Sequence, residues 1–443
     1  MQRQAEETLI KLDSIAAKSR REPMCKFVNL MYLLSEDFLA ACFRELSKSA
    51  APGVDGKTWE MLQTEMPHHL TRMVDWLKRG QYWPQPVRRT YIPKDEHSLR
   101  PLGIPTIGDK ILQLAMTKIL TAIYECDFLP VSYGYRPGRG ALQALQEMNN
   151  CLFMNPVSTV IDADIKGFFD SVNHRKLMNC LKQRVADDKF LRLVERFLKA
   201  GVMIDGIYNE TEIGTPQGGI LSPILSNIFL HYALDRWFIN EIKPKLSGDA
   251  WLFRYADDFV VCTQKVEDAQ WLLNAIRVRF ASCDLELSEE KTRLLSFGCK
   301  AWADWRNRGI KPETFDFLGF THFVGTSRKG KYLVGRTTSR KKFRKSLATL
   351  KKWLGEMRNV PMREWWGMLA AKMRGYYQYY GVSGNSRAII IYAQRVRELV
   401  YQALSRRSQR KSGLWIKLNR YLDRFPLPKP RIVHKWYACK STQ

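Results

Sequence analysis

Apolar residues recur every three to four positions through long stretches of this chain and cluster into a few short β-prone runs between them. Leu39, Phe43 and Leu46 share one helical face within residues 1–50, which read as helical. The string Ala51-Pro52-Gly53-Val54-Asp55-Gly56 then breaks the pattern as a turn. Helical spacing returns over Trp59 to Gly80, Asp109 to Leu129, Gly140 to Met154, 174–185, Phe190 to Ala200, about Pro223 to Asn240, and 267–282. The β-prone runs are Arg88 to Pro93, 157–165, 251–263, Phe315 to Val324 and Lys331 to Val334. A loop carrying Lys94 and Arg100 follows the first of them, and a Gly/Pro loop spans Gly214 to Gly219. After about residue 340 the pattern is helical, over Lys341 to Met357, Met362 to Tyr379 and Arg387 to Ser405, with an extended Pro-rich segment at Phe425 to Pro430. Strands crossed by helices, followed by helices alone, predict an α+β body with a helical section behind it.

Two of the β-prone runs contain acids that do not fit them. Asp257 and Asp258 interrupt the apolar run Trp251 to Thr263 as part of Tyr255-Ala256-Asp257-Asp258. Adjacent carboxylates are costly to bury unless a cation meets them. A β-hairpin with the acids at its turn is the simplest geometry, and Mg²⁺ is the natural cation for an all-oxygen site. Asp164 ends the other run, Val157 to Ile165. Carboxylates from two strands can hold two metal ions roughly 4 Å apart, one activating a hydroxyl and one holding a triphosphate.

Composition narrows the setting. The 443 residues suffice for two to four domains, and 45% hydrophobic with 26% charged residues describes a globular chain. The nine cysteines include no Cys-x-x-Cys pair, so reduced thiols in a cytoplasmic protein are expected rather than zinc or disulfides. The polar start carries no signal-peptide stretch, and no run is long enough to span a membrane. The net charge is +27, and residues 326–443 account for +25 of it, with 29 Lys and Arg against 4 Asp and Glu. A near-neutral body with a strongly basic final section implies a polyanionic partner, since Lys and Arg bind nucleic acid by releasing its condensed counterions.

These residues lie within longer strings that occur in a recognisable order. They are Pro52-Gly53-Val54-Asp55-Gly56, Ile92-Pro93-Lys94, Arg100-Pro101-Leu102-Gly103-Ile104-Pro105 and Ser132-Tyr133-Gly134-Tyr135-Arg136-Pro137-Gly138-Arg139. Asp162-Ala163-Asp164-Ile165-Lys166-Gly167-Phe168-Phe169-Asp170, Thr215-Pro216-Gln217-Gly218-Gly219-Ile220-Leu221-Ser222-Pro223 and Tyr255-Ala256-Asp257-Asp258 follow. Last come Leu287-Ser288-Glu289-Glu290-Lys291-Thr292 and Phe315-Asp316-Phe317-Leu318-Gly319-Phe320. In this order the chain resembles, from about residue 35 to 435, the reverse transcriptases encoded by group II introns of bacteria and organelles.

The resemblance implies a right-hand polymerase and a role for each matching position. Asp164 and Asp257 would be the principal Mg²⁺ ligands, with Asp258 supporting and Ile165 offering its backbone carbonyl. Phe169 would pack under the incoming sugar and exclude a 2′-hydroxyl. Lys94 and Arg100 would clamp the triphosphate, Gln217 would contact the nucleotide, and Gly218 and Gly219 would allow close backbone approach to the template or nucleotide. Lys291 would protonate the leaving pyrophosphate, and Phe317, Leu318 and Gly319 would position the primer end.

The final section is similar to the thumb, or maturase, region of the same family, on the string Arg374-Gly375-Tyr376-Tyr377-Gln378-Tyr379-Tyr380-Gly381-Val382-Ser383-Gly384-Asn385. Arg374, Tyr376 and Tyr377 would face RNA, because rings stack on unpaired bases while cations track phosphates. Arg406, Arg407, Arg410 and the stretch to Arg431 resemble the basic end of bacterial members, which would contact intron RNA or target DNA. The expected divisions are 1–75, an N-terminal extension and the start of the fingers; 76–325, fingers and palm; 326–403, thumb; and 404–443, a basic nucleic-acid-binding segment. No Cys-pair nuclease module is recognisable, so second-strand cleavage is not expected. The implied partners are intron RNA, an RNA template with its DNA primer, target DNA and deoxynucleoside triphosphates. Alternatives are a splicing cofactor with a dispensable polymerase, or a domesticated enzyme of DNA repair or phage defence.

Overall fold

A computed structural model of the chain describes residues 2–93, 99–204, 207–209, 214, 218–406 and 414–436, with side chains from Ile10 onward except that of Leu414. Helices α1 (Gln2–Arg21), α2 (Glu36–Glu45) and α3 (Trp59–Arg79) open it. The side chains of Ser35 and Thr58 start the last two by accepting hydrogen bonds from the N–H groups of Phe38 and Met61. Strands β1 (Val87–Pro93) and β2 (Leu99–Ile104) pair antiparallel, with Ile92 opposite Arg100. Then come α4 (Ile107–Tyr124), α5 (Ala141–Met154), β3 (Thr159–Asp164), the single turn α6 (Phe168–Ser171), α7 (His174–Leu181), α8 (Asp188–Leu198), β4 (Val202–Ile204) and β5 (Ile207–Asn209). Helix α9 (Ser222–Leu230) runs on into two π-helical turns, His231–Asp235 and Phe238–Ile242. The hairpin of β6 (Ala250–Tyr255) and β7 (Asp258–Thr263) leads to α10 (Val266–Ser282) and β8 (Arg293–Ser296). The remainder is α11 (Gly298–Arg308), β9 (Phe315–Phe317), β10 (Phe320–Thr326), β11 (Tyr332–Thr338), α12 (Arg340–Glu356), α13 (Met362–Tyr380), α14 (Ser386–Ser405) and α15 (Leu414–Arg424). Among the described residues there are three sheets, in strand orders β2, β1, β4, β5, then β6, β7, β3, β8, and β11, β10, β9. The expected α+β class is what the chain adopts.

Contacts divide the chain into two compact units. The first comprises residues 1–140, 161–261 and 265–293. Its central helix is α4, apolar on almost every face and packed by α1, α2 and α9. The polar groups of α4 are satisfied internally. Thr106 caps it through the Asp109 N–H, and the Asp109 carboxylate accepts from the Tyr82 hydroxyl at 2.8 Å. Gln113 Oε1 accepts from the Ile220 N–H at 2.8 Å, which anchors the chain just after the Gly218-Gly219 pair.

The second unit comprises residues 141–160, 262–264 and 294–443. Its helices α12, α13, α14 and α15 close on a core containing Leu354, Trp365, Leu369, Met373, Tyr392 and Val396. Arg340, Lys341, Lys342, Arg344, Lys345, Lys351 and Lys352 all lie exposed on α12. This helix therefore carries much of the basic section's charge on its solvent side.

Several elements differ from the sequence reading, each for an identifiable reason. The run Phe315 to Val324 is two strands, because Leu318 and Gly319 take φ of 48° and 81° and fold β9 back on β10. Arg100 lies on β2 and not in a loop, since Arg100 pairs with Ile92 across the hairpin. The expected helix over residues 1–50 is broken between Arg21 and Glu36. Within the basic end, 414–424 is helical, and Leu418, Tyr421 and Leu422 pack on the second unit's core at helical spacing. Strands β4, β5 and β8 and helix α11 are too short or too polar to have shown a period.

Candidate active site

The β6–β7 hairpin turns through Ala256 and Asp257, with Asp258 as the first residue of β7. Ala256 has φ of 57°, a left-handed conformation that a residue with a Cβ adopts at a cost of about 1 kcal/mol. The surroundings hold it there. Arg254, two residues upstream, is wholly buried, and its Nη1 donates to the Ala256 carbonyl at 3.0 Å. On the other side, Gly134 lies so close that a Cβ there would be 2.5 Å from the Ala256 nitrogen.

Strand β3 lies beside β7 and ends at Asp164. The Asp164 carbonyl accepts from the Ser288 N–H at 2.8 Å, which ties the 287–292 loop to the strand end. Lys291 on that loop reaches back to form an ion pair with the Asp164 carboxylate. Asp162, two residues earlier and therefore on the same strand face, pairs with Arg293 at 2.9 Å.

The carboxylates repel one another. Burial first, then Asp162, Asp164 and Asp257, pushes the Asp258 carboxyl up to about 8, with Lys291 opposing. Asp257 is raised too, by burial and then by Asp164, while its own N–H, Arg100 and Lys291 pull it down. Excess negative charge in a half-buried site is the condition a divalent cation relieves, and the all-oxygen donor set suits Mg²⁺. Among the described residues no three Asp, Glu, His or Cys side chains already converge as an ion-sized cluster. Asp164 faces the Lys291 ammonium instead.

The other expected residues fall as follows. Ile165 is buried and bridges to Leu287. Phe169 is half-buried on α6, whereas its neighbour Phe168 fills the core position, the two rings meeting edge-on at 5.4 Å. Arg100 is exposed on β2 and close enough to act on Asp257. Gly218 has φ of 107°, and a Cβ there would meet the Gly103 carbonyl at 2.7 Å, so its backbone lies close against β2. Phe317 is buried, and the Leu318 carbonyl accepts from the Tyr379 hydroxyl at 2.8 Å. Arg374 and Arg406 are exposed. Lys94, Gln217, Arg407 and Arg410 lie outside the described residues.

Tyr376 and Tyr377 need a correction. They are only 7% and 3% exposed, and Tyr376 stacks on Tyr392 within the helical core. Their rings are packing groups and not an RNA-facing surface. In the sequence the interleaved tyrosines suggested stacking on bases, but their helical spacing is that of a buried seam.

The residues the sequence reading passed over are Asp162, Arg293, Arg254 and Asp235. Arg254 is flanked by Leu252 and Phe253 in an apolar strand. A charge in such a run must find a buried partner, the same argument that singled out Asp257. The partner, Asp235, lies 19 positions away on a helix and has no local signature. Tyr135, exposed and at φ of 55°, sits over the same turn with its ring 6.3 Å from Tyr255.

Residues 92–322, just over half of the chain, match the family model described as reverse transcriptase (RNA-dependent DNA polymerase). The chain is 32% identical over 382 residues to Protein YkfC of Escherichia coli, covering 78% of this chain and 96% of that protein. It is 32% identical over 345 residues to the group II intron-encoded protein LtrA of Lactococcus lactis subsp. cremoris, covering 64% of this chain and 57% of LtrA. A 91 kDa protein in a cob intron of Schizosaccharomyces pombe is 33% identical over 242 residues, covering 54% of this chain and 29% of that one. The family match reaches from Ile92 to His322 and takes in every carboxylate around the Ala256 turn, so the chain belongs to the reverse transcriptase family.

Proposed function

We propose that this protein is an RNA-directed DNA polymerase encoded by a group II intron, and that it also binds the intron RNA as a splicing maturase and serves retrohoming. The observation that carries the polymerase reading is the set of mutually repelling carboxylates, Asp164, Asp257 and Asp258, brought together from β3 and the β6–β7 turn. Similarity to LtrA, named as group II intron-encoded, supports the intron reading. The intact acids speak against a cofactor with a dispensable polymerase.

Asp164, Asp257 and Asp258, with the Ile165 carbonyl, would hold Mg²⁺. Two such ions, when bound, supply hydroxyl activation and charge neutralisation at the leaving pyrophosphate. Arg100, beside Asp257, would bind and orient the triphosphate together with Lys94 and Gln217. Phe169, half-buried next to a buried phenylalanine, would floor the sugar site and exclude a 2′-hydroxyl. The Lys291 ammonium would donate a proton to the leaving oxygen. Residues 76–325 would act as fingers and palm, with 1–75 as an N-terminal extension and the start of the fingers. Phe317, Leu318 and Gly319, at the end of the 76–325 section, would grip the primer, and residues 326–403 would act as the thumb and maturase region. Arg374 on α13, the cations of α12, Arg406, Arg407 and Arg410 would hold RNA or target DNA phosphates. No helix among the described residues is long and apolar enough to cross a membrane, and a bacterial cytosolic ribonucleoprotein is the setting this reading implies.

Primer extension on an RNA template with deoxynucleotides and Mg²⁺ tests the proposal. The wild type should synthesise DNA and Asp257→Ala should reduce synthesis to background. Undiminished synthesis by Asp257→Ala would refute the site. Splicing of a flanking intron RNA should persist in the same variant, since it needs only the binding surface.

A further inference from the structure

The catalytic turn is held by a buried ionic network that takes no direct part in the chemistry. Arg254 and Asp235 are both 0% exposed, and the guanidinium uses all five of its N–H groups. Nε and Nη2 donate to the two Asp235 carboxylate oxygens at 2.7 and 2.6 Å. Nη2 also donates to Ser132 Oγ at 2.8 Å, and Nη1 donates to Asn227 Oδ1 and the Ala256 carbonyl, each at 3.0 Å. Asn227 completes the circuit by donating from Nδ2 to the Gly134 carbonyl at 2.7 Å. Gly134 is the residue whose backbone abuts the Ala256 nitrogen. The backbone closes a second circuit, with the Arg254 N–H to the Val131 carbonyl at 2.8 Å and the Tyr133 N–H to the Arg254 carbonyl at 2.9 Å.

A buried ion pair is seldom a net source of stability, because desolvation offsets most of its attraction. An apolar pair of the same volume could fill this space. What it could not do is hold a carbonyl in a fixed orientation. That carbonyl belongs to Ala256, a residue at positive φ directly before Asp257. We infer that Arg254, oriented by Asp235, Asn227 and Ser132, is a positioning residue for the reaction: it fixes the Ala256 peptide, and through it the direction of the Asp257 carboxylate. This rests on the polymerase reading above. Lysine at 254 would keep the charge but not the planar fork, so it could not serve Asp235 and Ala256 together.

The test compares wild type, Arg254→Lys and Asn227→Ala in primer extension on an RNA template. kcat, the deoxynucleotide KM, the template–primer Kd and the melting temperature are measured for each. Mn²⁺ affinity of the substrate-free protein is measured by electron paramagnetic resonance. In Arg254→Lys, kcat per folded molecule should fall about 100-fold, as expected for a reacting group displaced by an ångström. KM and Kd should stay within about threefold, because uniform binding is untouched. Mn²⁺ affinity should fall at least about tenfold, as when a group orienting a metal ligand is lost. Asn227→Ala should show the same pattern more weakly, and it decides the matter if Arg254→Lys does not fold. A folded variant with unchanged kcat and unchanged Mn²⁺ affinity, differing only in melting temperature, would overturn the inference. So would parallel losses of kcat, KM and Kd. If the wild type makes no DNA, the polymerase reading fails instead, and the Mn²⁺ titration still decides whether Arg254 sets the carboxylate.

Discussion

Two hairpin turns, one in each unit, solve the same problem by different means. Between β6 and β7 the first turn residue is Ala256, and between β9 and β10 it is Leu318, with φ of 57° and 48°. Neither is glycine, so both turns are strained, and in each a side chain donates to the carbonyl of the strained residue. For Ala256 the donor is a buried guanidinium within an ionic network. For Leu318 it is the neutral Tyr379 hydroxyl, reaching from α13, at 2.8 Å. The second loop residue also differs. Asp257 must be an acid, whereas Gly319 relieves strain at its own φ of 81°, giving the two-positive-φ pattern favoured in tight hairpins. A turn that carries charge is braced by charge, at the expense of a deep dependence on every partner. A turn that presents backbone and apolar surface is braced by one weak bond and by packing.

The sharpest break in this comparison is Asp235→Ala. Removing the counter-ion leaves Arg254 buried and unpaired, and urea unfolding should show a loss of about 3–5 kcal/mol. The next largest effect should come from Gly134→Ala. Its new Cβ would press on the Ala256 backbone, which cannot swing aside as a flexible side chain can, and destabilisation of about 1–3 kcal/mol should accompany a larger loss of primer extension. A Gly134→Ala enzyme with full activity would show that the turn tolerates displacement.

Acid separates the turns further. His322, on β10 opposite Arg336, is held neutral, its pKa lowered to about 3 by burial and then by Arg336. In the unfolded chain the imidazole takes a proton near its ordinary 6.5. Its contribution to stability is thus complete above 6.5 and lost progressively as pH falls toward 3. By pH 5 that loss should be roughly 2 kcal/mol. Replacing it with a ring that never charges, His322→Phe, should flatten the melting temperature between pH 6.5 and 5. Tyr379→Phe, which removes the neutral hydrogen bond to the Leu318 carbonyl, should cost about 1 kcal/mol. The smallest change should be a gain. Leu318→Asn places the preferred Asn-Gly pair in the turn and should raise stability by about 0.5 kcal/mol, read from the same melts.

How much of this was legible in the sequence depends on how local each signal was. Helices α12, α13 and α14 were visible within a residue or two because apolar spacing alone defines them. The acidic hairpin was visible because two carboxylates in an apolar strand demand an explanation. The hairpin at Leu318 was not, since leucine gives no hint of a left-handed turn and Gly319 alone reads as a bulge. Tyr376 and Tyr377 misled because an aromatic–basic string suits both RNA and a helical seam, and only packing distinguishes them. Asp235 was invisible for a third reason: its partner is supplied by a strand far along the chain, and no window of sequence contains both.

The π-turn over His231–Asp235 gives that last residue an unusual standing. A π-turn is an α-helix accommodating extra chain, and such turns recur near functional sites. Because the turn absorbs its extra residue locally, loss of one residue there would restore ordinary helical winding and leave the helix on either side in register. Asn227 before the turn and Asp235 at its end would both keep their places around Arg254. Among relatives the interval from Asn227 to Asp235 should therefore vary by no more than that one residue, even where its side chains drift.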